Sequence, residues 1–370
     1  MEIRVQRNDL AKELQLVQGI VERKSSIPIL QNVLCEARAG EIRIAATDLD
    51  VSLRCGCAAE VVEEGSVTLA AKKLHEIVRS LPENDVKLKL ESDSWVRIRC
   101  ERVEFRMAGL PREDFPTLPE AKGGRGIELP ASVLRALIQR TAFAITAEDA
   151  RYYLAGALLV LDKETAAMVA TDGHRLAWAQ RKAAIKLPEA LRVLVPRKAI
   201  TELARLIEDA GGDETVSFLQ GDGHLIFGIG GRTLASKQVE AQFPAFEKVI
   251  AVSGDKKVSV GREALQSAIR RVSLLSSDRG RAVKLGLDEG KVELTASSPE
   301  FGDARESLPV EYKGGGVEIG FNAQYLLDFL AASGGKEVAL ELKDAESQGL
   351  FRPAEKGELD YRYVVMPIRL

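Results

Sequence analysis

The chain begins with a short alternating segment and an amphipathic one. Residues 3–6 alternate as a strand does, and Leu10, Leu14 and Val17 then lie on one face of a helix. The same spacing recurs twice further along the chain, at Leu134, Ile138 and Thr141 and at Leu265, Ile269 and Val272. These recurrences follow predicted strands at residues 127–129 and 258–260. A fixed order of elements at long intervals predicts an internal repeat.

Each repeat continues with a second strand and helix, predicted over residues 67–81, 193–207 and 317–332. Lys73, Lys198 and Gln324 take equivalent positions on these helices. Each repeat ends in strands and a proline-bearing exit, at Phe115-Pro116, Phe243-Pro244 and Met366-Pro367. We therefore predict three modules, over residues 1–122, 123–250 and 251–370. Each module is predicted to be α+β, with two helices packed on antiparallel sheet.

Turn and strand signals between the helices complete each module. Residues 95–100 and 158–169 are predicted to be half-buried antiparallel strands. Thr47-Asp48, Thr171-Asp172 and Ala296-Ser297 are predicted to occupy matching turns in the three modules. Gly173 and Gly223 each follow an aspartate and supply the positive φ that tight hairpins require. Residues 122–126 and 253–257 are predicted to be linkers.

The composition is that of an ordinary globular protein. The 370 residues are 45% hydrophobic and 29% charged, and no apolar run approaches the length of a membrane span. The first residues lack the pattern of a secretory leader, so we expect a cytoplasmic protein without membrane contact. The cysteines show no disulfide or zinc spacing, so we expect inert free thiols at Cys35, Cys55, Cys57 and Cys100.

The sequence offers little for catalysis. The chain has three histidines, and His75 lacks a second ligand four residues later, so the zinc-helix motif is incomplete. Residues 170–176 (ATDGHRL) are the most enzyme-like segment, since they bring a hydroxyl, a carboxylate, an imidazole and a guanidinium together. Either this is a hairpin turn whose polar groups satisfy one another, or Asp172, His174 and Arg175 form a hydrolase site. We expect no catalytic residue, no metal and no cofactor.

Charge is unevenly placed. Six windows over the predicted helices hold 15 basic and 7 acidic residues, a net charge of +8, although the whole chain carries −3. The remainder therefore carries −11. Five of the six windows share the basic bias, and only residues 321–333 lack basic residues. Such helices can meet a phosphate backbone without reading bases, which predicts weak, salt-sensitive and sequence-independent contact with DNA.

Five segments in this order resemble the bacterial DNA polymerase III beta subunit family. They are RYYL at 151–154, ATDGHRL at 170–176, VPRK at 195–198, GFN at 320–322 followed by YLLD at 325–328, and YVVMPIRL at 363–370. The resemblance runs from the first strand to the last residue. It implies a DNA clamp fold in which two three-module chains close into a six-module homodimeric ring around duplex DNA. Such a protein is a non-catalytic processivity factor.

The resemblance implies a set of DNA-facing residues, transferred position by position. They are Arg23, Lys24, Lys73, Tyr152, Tyr153, Arg197, Lys198, Arg205, Arg279 and Arg281. The sixth helix, without basic residues, is expected to engage DNA less.

The resemblance also implies an apolar pocket between the second and third modules. It is expected to receive short linear peptides from the DNA polymerase III alpha subunit, the clamp loader, and other polymerases and repair proteins. The implied residues are Leu154, Thr171, Gly173, His174, Arg175, Leu176, Pro244, Lys248, Val249, Val364, Val365, Met366, Pro367, Ile368 and Arg369. Many members of the family carry arginine at the position of Lys248 and methionine at that of Ile368, which would shift peptide preference.

Ring closure requires an edge of module one to meet module three of a second copy. The expected interface residues are Phe105, Met107, Leu274, Leu275, Glu300, Asp303 and Glu306. Arg97, Arg99, Arg102 and Arg106 are expected on the same strand as Phe105 and Met107, opposite the acidic residues of module three. One alternative to a general clamp is a specialised clamp paralogue, such as a drug-resistance copy, whose sequence would look almost the same.

Overall fold

The computed structural model describes residues 1–22, 26–120, 126–146, 149–187, 189–211, 214–276 and 281–369. The chain forms two compact units. Unit 1 comprises residues 1–132 and 198–238, and unit 2 comprises residues 133–197 and 239–370. In the described part of the chain, no helix combines the length and apolarity needed to cross a membrane.

The described residues contain seven α-helices and six 3₁₀ helices. The α-helices are α1 (Arg7–Val17), α2 (Ala71–Ser80), α3 (Ala131–Thr141), α4 (Arg197–Ala210), α5 (Glu247–Ile250), α6 (Arg262–Val272) and α7 (Ala323–Ser333). The 3₁₀ helices are Pro28–Gln31, Ser92–Ser94, Arg112–Asp114, Ala142–Ala144, Asp149–Leu154 and Ser273–Leu275.

Unit 1 contains a 13-stranded antiparallel arrangement in the order β10-β15-β16-β17-β4-β3-β2-β6-β9-β8-β7-β1-β5. Its strands are β1 (Glu2–Gln6), β2 (Asn32–Arg38), β3 (Glu41–Thr47), β4 (Val51–Ala58), β5 (Glu60–Glu63), β6 (Gly65–Ala70), β7 (Asp85–Leu90), β8 (Trp95–Cys100), β9 (Val103–Leu110), β10 (Ile127–Pro130), β15 (Thr215–Gly221), β16 (His224–Ile229) and β17 (Arg232–Lys237). The pairing of β17 with β4 joins module two to module one in one sheet.

Unit 2 contains an eight-stranded sheet, β14-β11-β12-β13-β25-β24-β23-β18, and a four-stranded sheet, β21-β20-β19-β22. The strands are β11 (Gly156–Leu161), β12 (Thr165–Thr171), β13 (Arg175–Lys182), β14 (Leu191–Pro196), β18 (Lys256–Gly261), β19 (Ala282–Asp288), β20 (Lys291–Ser298), β21 (Gly302–Pro309), β22 (Val317–Asn322), β23 (Glu337–Leu342), β24 (Gly349–Pro353) and β25 (Leu359–Val365). Here β13 pairs with β25, so the last strand of module three continues the sheet of module two.

The predicted helix faces are confirmed. Leu10, Leu14 and Val17 are fully buried on α1, which packs against α2. The corresponding residues of α3 and α6 are also buried, and α6 packs against α7. Each helix therefore buries the apolar stripe that its spacing predicted.

One strand prediction was wrong in its burial. Residues 158–169 form a hairpin of β11 and β12, but most of their side chains are buried on both faces rather than on one. Both strands lie inside the eight-stranded sheet. The continuous apolar run over residues 158–161 was the signal, because alternation is lost where both faces of a strand are covered.

The four cysteines are free thiols. Burial raises the pKa of the Cys35 thiol to about 12. Burial, together with the nearby Glu13 carboxylate, raises the pKa of Cys57 to about 12 as well. Because the thiolate is the reactive form, these thiols are unreactive at neutral pH.

A buried ion cluster ties three elements of unit 1 together. The Arg232 guanidinium on β17 donates to both oxygens of Glu13 on α1, at 2.6 and 3.0 Å, and to Asp209 on α4 at 2.5 Å. Arg232 and Glu13 are only 8% and 5% exposed. Burial opposes the charge of Asp209, but hydrogen bonds from Arg232 and Lys12 outweigh it and lower the pKa of that carboxyl. The cluster thus links module one to one strand and one helix of module two.

We expect Glu13→Ala to lower the free energy of unfolding of unit 1 by about 3 kcal/mol, because the buried Arg232 charge loses its main partner. Urea unfolding followed by fluorescence measures this loss. Lys12→Ala is the matched control, since Lys12 is about half exposed and its pair with Asp209 is worth less than about 1 kcal/mol. Equal losses in the two variants would contradict the assignment.

Candidate functional site

The turn between β12 and β13 is held by its own side chains. The Thr171 hydroxyl donates to the Arg175 carbonyl at 2.6 Å and accepts from the Gly173 amide at 3.1 Å. One oxygen of Asp172 accepts from the amides of His174 and Arg175, both at 3.0 Å. Gly173 has φ of +88°, as its position after aspartate predicted. The turn presents its backbone and side chains in a fixed arrangement.

Module one contains the same turn. The Thr47 hydroxyl donates to the Val51 carbonyl and accepts from the Leu49 amide, while Asp48 accepts from the amides of Asp50 and Val51. Leu49 stands where module two has glycine and has φ of +78°. The predicted repeat of this turn is therefore confirmed for modules one and two. The prediction was wrong for module three, where Ala296-Ser297 lies on β20.

Arg175 fastens the turn of module two to its surroundings. Its Nε donates to Asp172 at 3.0 Å, one terminal nitrogen donates to Asp328 at 2.5 Å, and the other donates to the Phe143 carbonyl at 2.8 Å. The guanidinium also lies 4.3 Å from the ring centre of Tyr325. The side chains of Arg175 and Asp172 are therefore used to hold the turn in place.

A hydrolase site at this turn does not fit the geometry. Both oxygens of Asp172 bind neighbouring donors of the turn, and the exposed His174 makes its contact with Asp172 through the backbone amide. The carboxylate is therefore engaged by the backbone and by Arg175 rather than aligned with the imidazole. Of the two interpretations of residues 170–176, the structural hairpin turn is the one observed.

A cavity of about 200 Å³ opens beside this turn in unit 2. The β12–β13 turn, the exit segment at the end of module two and the end of β25 form its walls. The lining residues are Leu154, Thr171, Gly173, His174, Arg175, Leu176, Phe243, Pro244, Ala245, Phe246, Val249, Gln348, Val364 and Met366. Leu158, Val169 and Trp178 belong to the buried cluster that also holds Phe246 and Val364. The floor is therefore apolar, and the polar groups lie at the rim.

The structure brings ten of the fifteen predicted pocket residues to this cavity, and the other five lie outside its lining. Lys248 is exposed on α5, and Val365 is fully buried in β25. Ile368 forms an isolated bridge with Gly320, whose carbonyl accepts from the Ile368 amide at 2.8 Å. Pro367 is half-buried and Arg369 is exposed.

Four lining residues were not predicted: Phe243, Ala245, Phe246 and Gln348. The first three flank the predicted Pro244, so the apolar residues around that proline were an available signal. Gln348 precedes β24 and reaches the cavity because β24 pairs with β25. No local pattern marks it, since only the strand order brings it there.

The predicted DNA-facing residues differ in their surroundings. Arg23, Lys24 and Arg279 lie outside the described residues. Tyr152 is 61% exposed and packs edge-to-face with Tyr153, with ring centres 5.8 Å apart. Arg197 and Arg281 are also exposed.

Three predicted cations have carboxylate partners within the chain. Lys73 pairs with Glu76 at 2.6 Å, and Arg205 pairs with Glu202 at 2.9 Å. The Lys198 ammonium donates to the Ile20 carbonyl at 2.8 Å and to Asp48. Lys198 therefore anchors the Asp48 turn of module one, a role that the sequence did not indicate.

Two strand edges carry four of the seven predicted interface residues, Phe105 and Met107 on β9 and Asp303 and Glu306 on β21. Leu274 and Leu275 lie in the 3₁₀ helix Ser273–Leu275, and Glu300 lies between β20 and β21. Over residues 103–108, β9 pairs with β8 on one side, and its pairing with β6 is confined to Gly109 and Leu110. β21 is the edge strand of the four-stranded sheet. Both strands therefore present backbone groups on one side over most of their length.

The side chains of the predicted interface residues vary in exposure. Leu274 is 80% exposed, while Met107 is 8% exposed and faces the core. Phe105 and Leu275 are half-buried, and Glu300 and Asp303 are exposed. Glu306 already pairs with Arg271.

The arginines near β9 were also expected to be available for a second copy. Arg97 and Arg99 lie on β8 rather than on the same strand as Phe105, and Arg102 lies in the turn between the two strands. Arg97 pairs with Glu91 and Glu104, and Arg106 pairs with Glu91. Their charges are therefore already partly balanced within module one.

Family models match three consecutive parts of the chain. The N-terminal, central and C-terminal domains of the DNA polymerase III beta subunit match residues 1–119, 128–245 and 247–369.

Curated relatives match over their whole length. The beta sliding clamp of Pseudomonas putida is 41% identical over 372 residues, and that of Escherichia coli K12 is 34% identical over 372 residues. Each comparison covers 100% of both chains.

Solved structures agree. The DNA polymerase III subunit beta of Pseudomonas aeruginosa is 39% identical with a TM-score of 0.93, and coverage of both chains is 100%. A DnaN sliding clamp from Bartonella birtlesii bound to griselimycin is 36% identical with a TM-score of 0.94 and the same coverage. A P. aeruginosa sliding clamp was also solved bound to griselimycin. The chain belongs to the DNA polymerase III beta subunit family, the bacterial beta sliding clamps.

Proposed function

We propose that this chain is a DNA sliding clamp in which two copies close into a ring around duplex DNA and tether the replicative polymerase. The observation that carries the proposal is the full-length match of all three modules to clamps of known structure. The protein is a non-catalytic processivity subunit, and we place its action in the cytoplasm. The module boundaries at residues 122 and 250 are part of the same proposal.

Encirclement explains why the helices are basic only to a modest degree. A ring is retained by topology, so each phosphate contact can be weak and the protein can slide. Lys73, Lys198 and Arg205 have carboxylate partners within the chain, and these partners partly neutralise their positive charges. We propose that exposed groups such as Tyr152, Arg197 and Arg281 make direct contacts with DNA.

We propose the cavity beside the β12–β13 turn as the site for short peptides of polymerases, the clamp loader and repair proteins. An apolar floor of about 200 Å³ suits one or two hydrophobic anchor side chains. Polar groups at the rim would form hydrogen bonds with the flanking backbone and polar residues of the peptide. These groups include the exposed His174, Gln348 and the nearby Lys248.

We propose that β9 of one copy pairs with β21 of another. This pairing would satisfy the backbone groups of two edge strands at once and bury the exposed Leu274. Phe105, Leu275, Glu300 and Asp303 would complete the contact.

Retention on DNA tests the encircling mechanism. After loading onto nicked circular DNA by a cognate clamp loader, the protein should co-migrate with the circle through gel filtration. It should be lost after the circle is linearised, because the ring can then slide off the ends. Equal retention on circular and linear DNA would rule out encirclement.

The dimer contact is tested by Leu274→Arg. We expect the variant to sediment at the 40.3 kDa mass of one chain, while the unchanged protein sediments at twice that mass. A charge inserted into an apolar contact disfavours association. Val62→Arg is the matched control, since Val62 is a 59% exposed apolar residue that lies outside the proposed contact. A dimeric Leu274→Arg variant would show that the contact lies elsewhere.

A further inference from the structure

Helix α7 differs from the other helices of the repeat. Its eleven residues contain no basic side chain, and Asp328 is its one charged residue. Gln324 occupies the position held by lysine in modules one and two. A helix without cations contributes little to phosphate contact, so its polar residues are available for another role.

Both oxygens of the Asp328 carboxylate are used. One accepts from the Gln324 side-chain amide at 2.7 Å, and the other accepts from Arg175 at 2.5 Å. The Asp328 side chain is 23% exposed and that of Arg175 is 10% exposed. An ion pair at this depth is less screened by solvent than one on the surface.

The same helix supplies a second contact to Arg175. The Tyr325 ring lies 4.3 Å from the guanidinium, and the Tyr325 carbonyl accepts from the Tyr363 hydroxyl at 2.9 Å. The centre of the Phe143 ring lies 5.3 Å from the same guanidinium. Arg175 is therefore enclosed by aromatic rings and directed by carboxylates, which leaves it little freedom to change its orientation.

Arg175 connects Asp328 on α7 to the turn at residues 171–176. Its Nε binds the oxygen of Asp172 that the turn backbone does not use, while the other Asp172 oxygen holds the amides of His174 and Arg175. Gly173, His174 and Leu176 line the cavity from this turn. The contacts run without interruption from an exposed side chain of α7 to the wall of the cavity.

We propose that Asp328 is a positioning residue, which holds the 171–176 turn in its ligand-binding arrangement through Arg175. The proposal rests on the assignment of this cavity as the ligand pocket. A preorganised wall does not have to be ordered when a ligand binds, so affinity is higher than for a mobile turn. Helix α7 thus supports the pocket, whereas the basic helices contact DNA.

The test uses the full-length dimeric protein and griselimycin, the compound bound to relatives in solved structures. Calorimetric titration should show the dissociation constant of Asp328→Asn increased about tenfold, since the variant keeps the shape of the side chain and loses the ion pair. Gln324→Ala, at an exposed position, should weaken binding about twofold, because it removes the bond that orients Asp328. Glu318→Gln, which removes a surface pair with Lys284, is the control and should leave affinity unchanged.

A double-mutant cycle separates positioning from a general structural effect. In the Arg175→Lys background, Asp328→Asn should change affinity less than about twofold, because the residue through which it acts has lost its planar donor fork. A full tenfold effect in that background would overturn the proposal. So would unchanged affinity in both Asp328→Asn and Gln324→Ala.

Hydrogen exchange of the ligand-free protein distinguishes this inference from the pocket assignment. Amides of residues 173–175 should exchange faster in Asp328→Asn than in the unchanged protein, and unchanged rates would overturn the positioning role. If the unchanged protein failed to bind griselimycin, the pocket assignment would fail, and the exchange rates would still decide whether Asp328 holds the turn.

Discussion

The pairing of β13 with β25 is the constraint on which the pocket depends. Leu176 lies opposite Val364 and Arg175 lies opposite Val365, so the end of the chain is placed against a turn made almost 190 residues earlier. The Met366 amide continues this line by donating to the His174 carbonyl at 2.9 Å. A strand register fixes side chains to one face, and a slip by one residue would move Val364 out of the cavity wall. The proposed ligand site is thus a consequence of sheet continuity between two modules.

Module one has the same strand junction and the same turn, but its exit segment is held differently. β17 pairs with β4 as β25 pairs with β13, and Arg54 takes the place of Trp178 in register. The Arg54 guanidinium donates to the carbonyls of Leu118 and Pro119, each at 3.1 Å. These two hydrogen bonds hold the exit segment of module one in place. In module two, Trp178 instead joins the apolar cluster beneath the cavity. The Arg54 hydrogen bonds add to apolar packing in module one, where Phe115 and Leu118 belong to a buried cluster with Ile29 and Leu34.

The sequence was most informative where contacts are local. Helix spacing predicted the buried faces of α1, α3 and α6, and the aspartate before Gly173 predicted a turn with positive φ. Strand alternation failed over residues 158–169, because both faces of that hairpin are covered. Local hydrophobic periodicity indicates which face of an element is buried, and this signal is lost when both faces are buried.

Long-range partners could not be predicted in this way. Lys198 pairs with Asp48, which lies 150 positions away in the sequence, and Arg175 pairs with Asp328, which lies 153 positions away. Charge counting treated Lys198 as available for DNA, and the family resemblance placed Arg175 in the peptide pocket, although the fold assigns each a carboxylate. Gln348 entered the cavity through strand order alone. Such features depend on topology, which the repeat suggested but did not specify in atomic detail.

The claim that the β13–β25 junction forms the ligand site is tested most directly by a crystal structure of this chain with griselimycin. We expect the compound between the 171–176 turn, Phe246 and Met366, with its apolar groups in the cavity of about 200 Å³. A second cavity of unit 2, of about 680 Å³, is lined by β18 and the residues after β21. Griselimycin bound there, with the junction cavity empty, would contradict this claim.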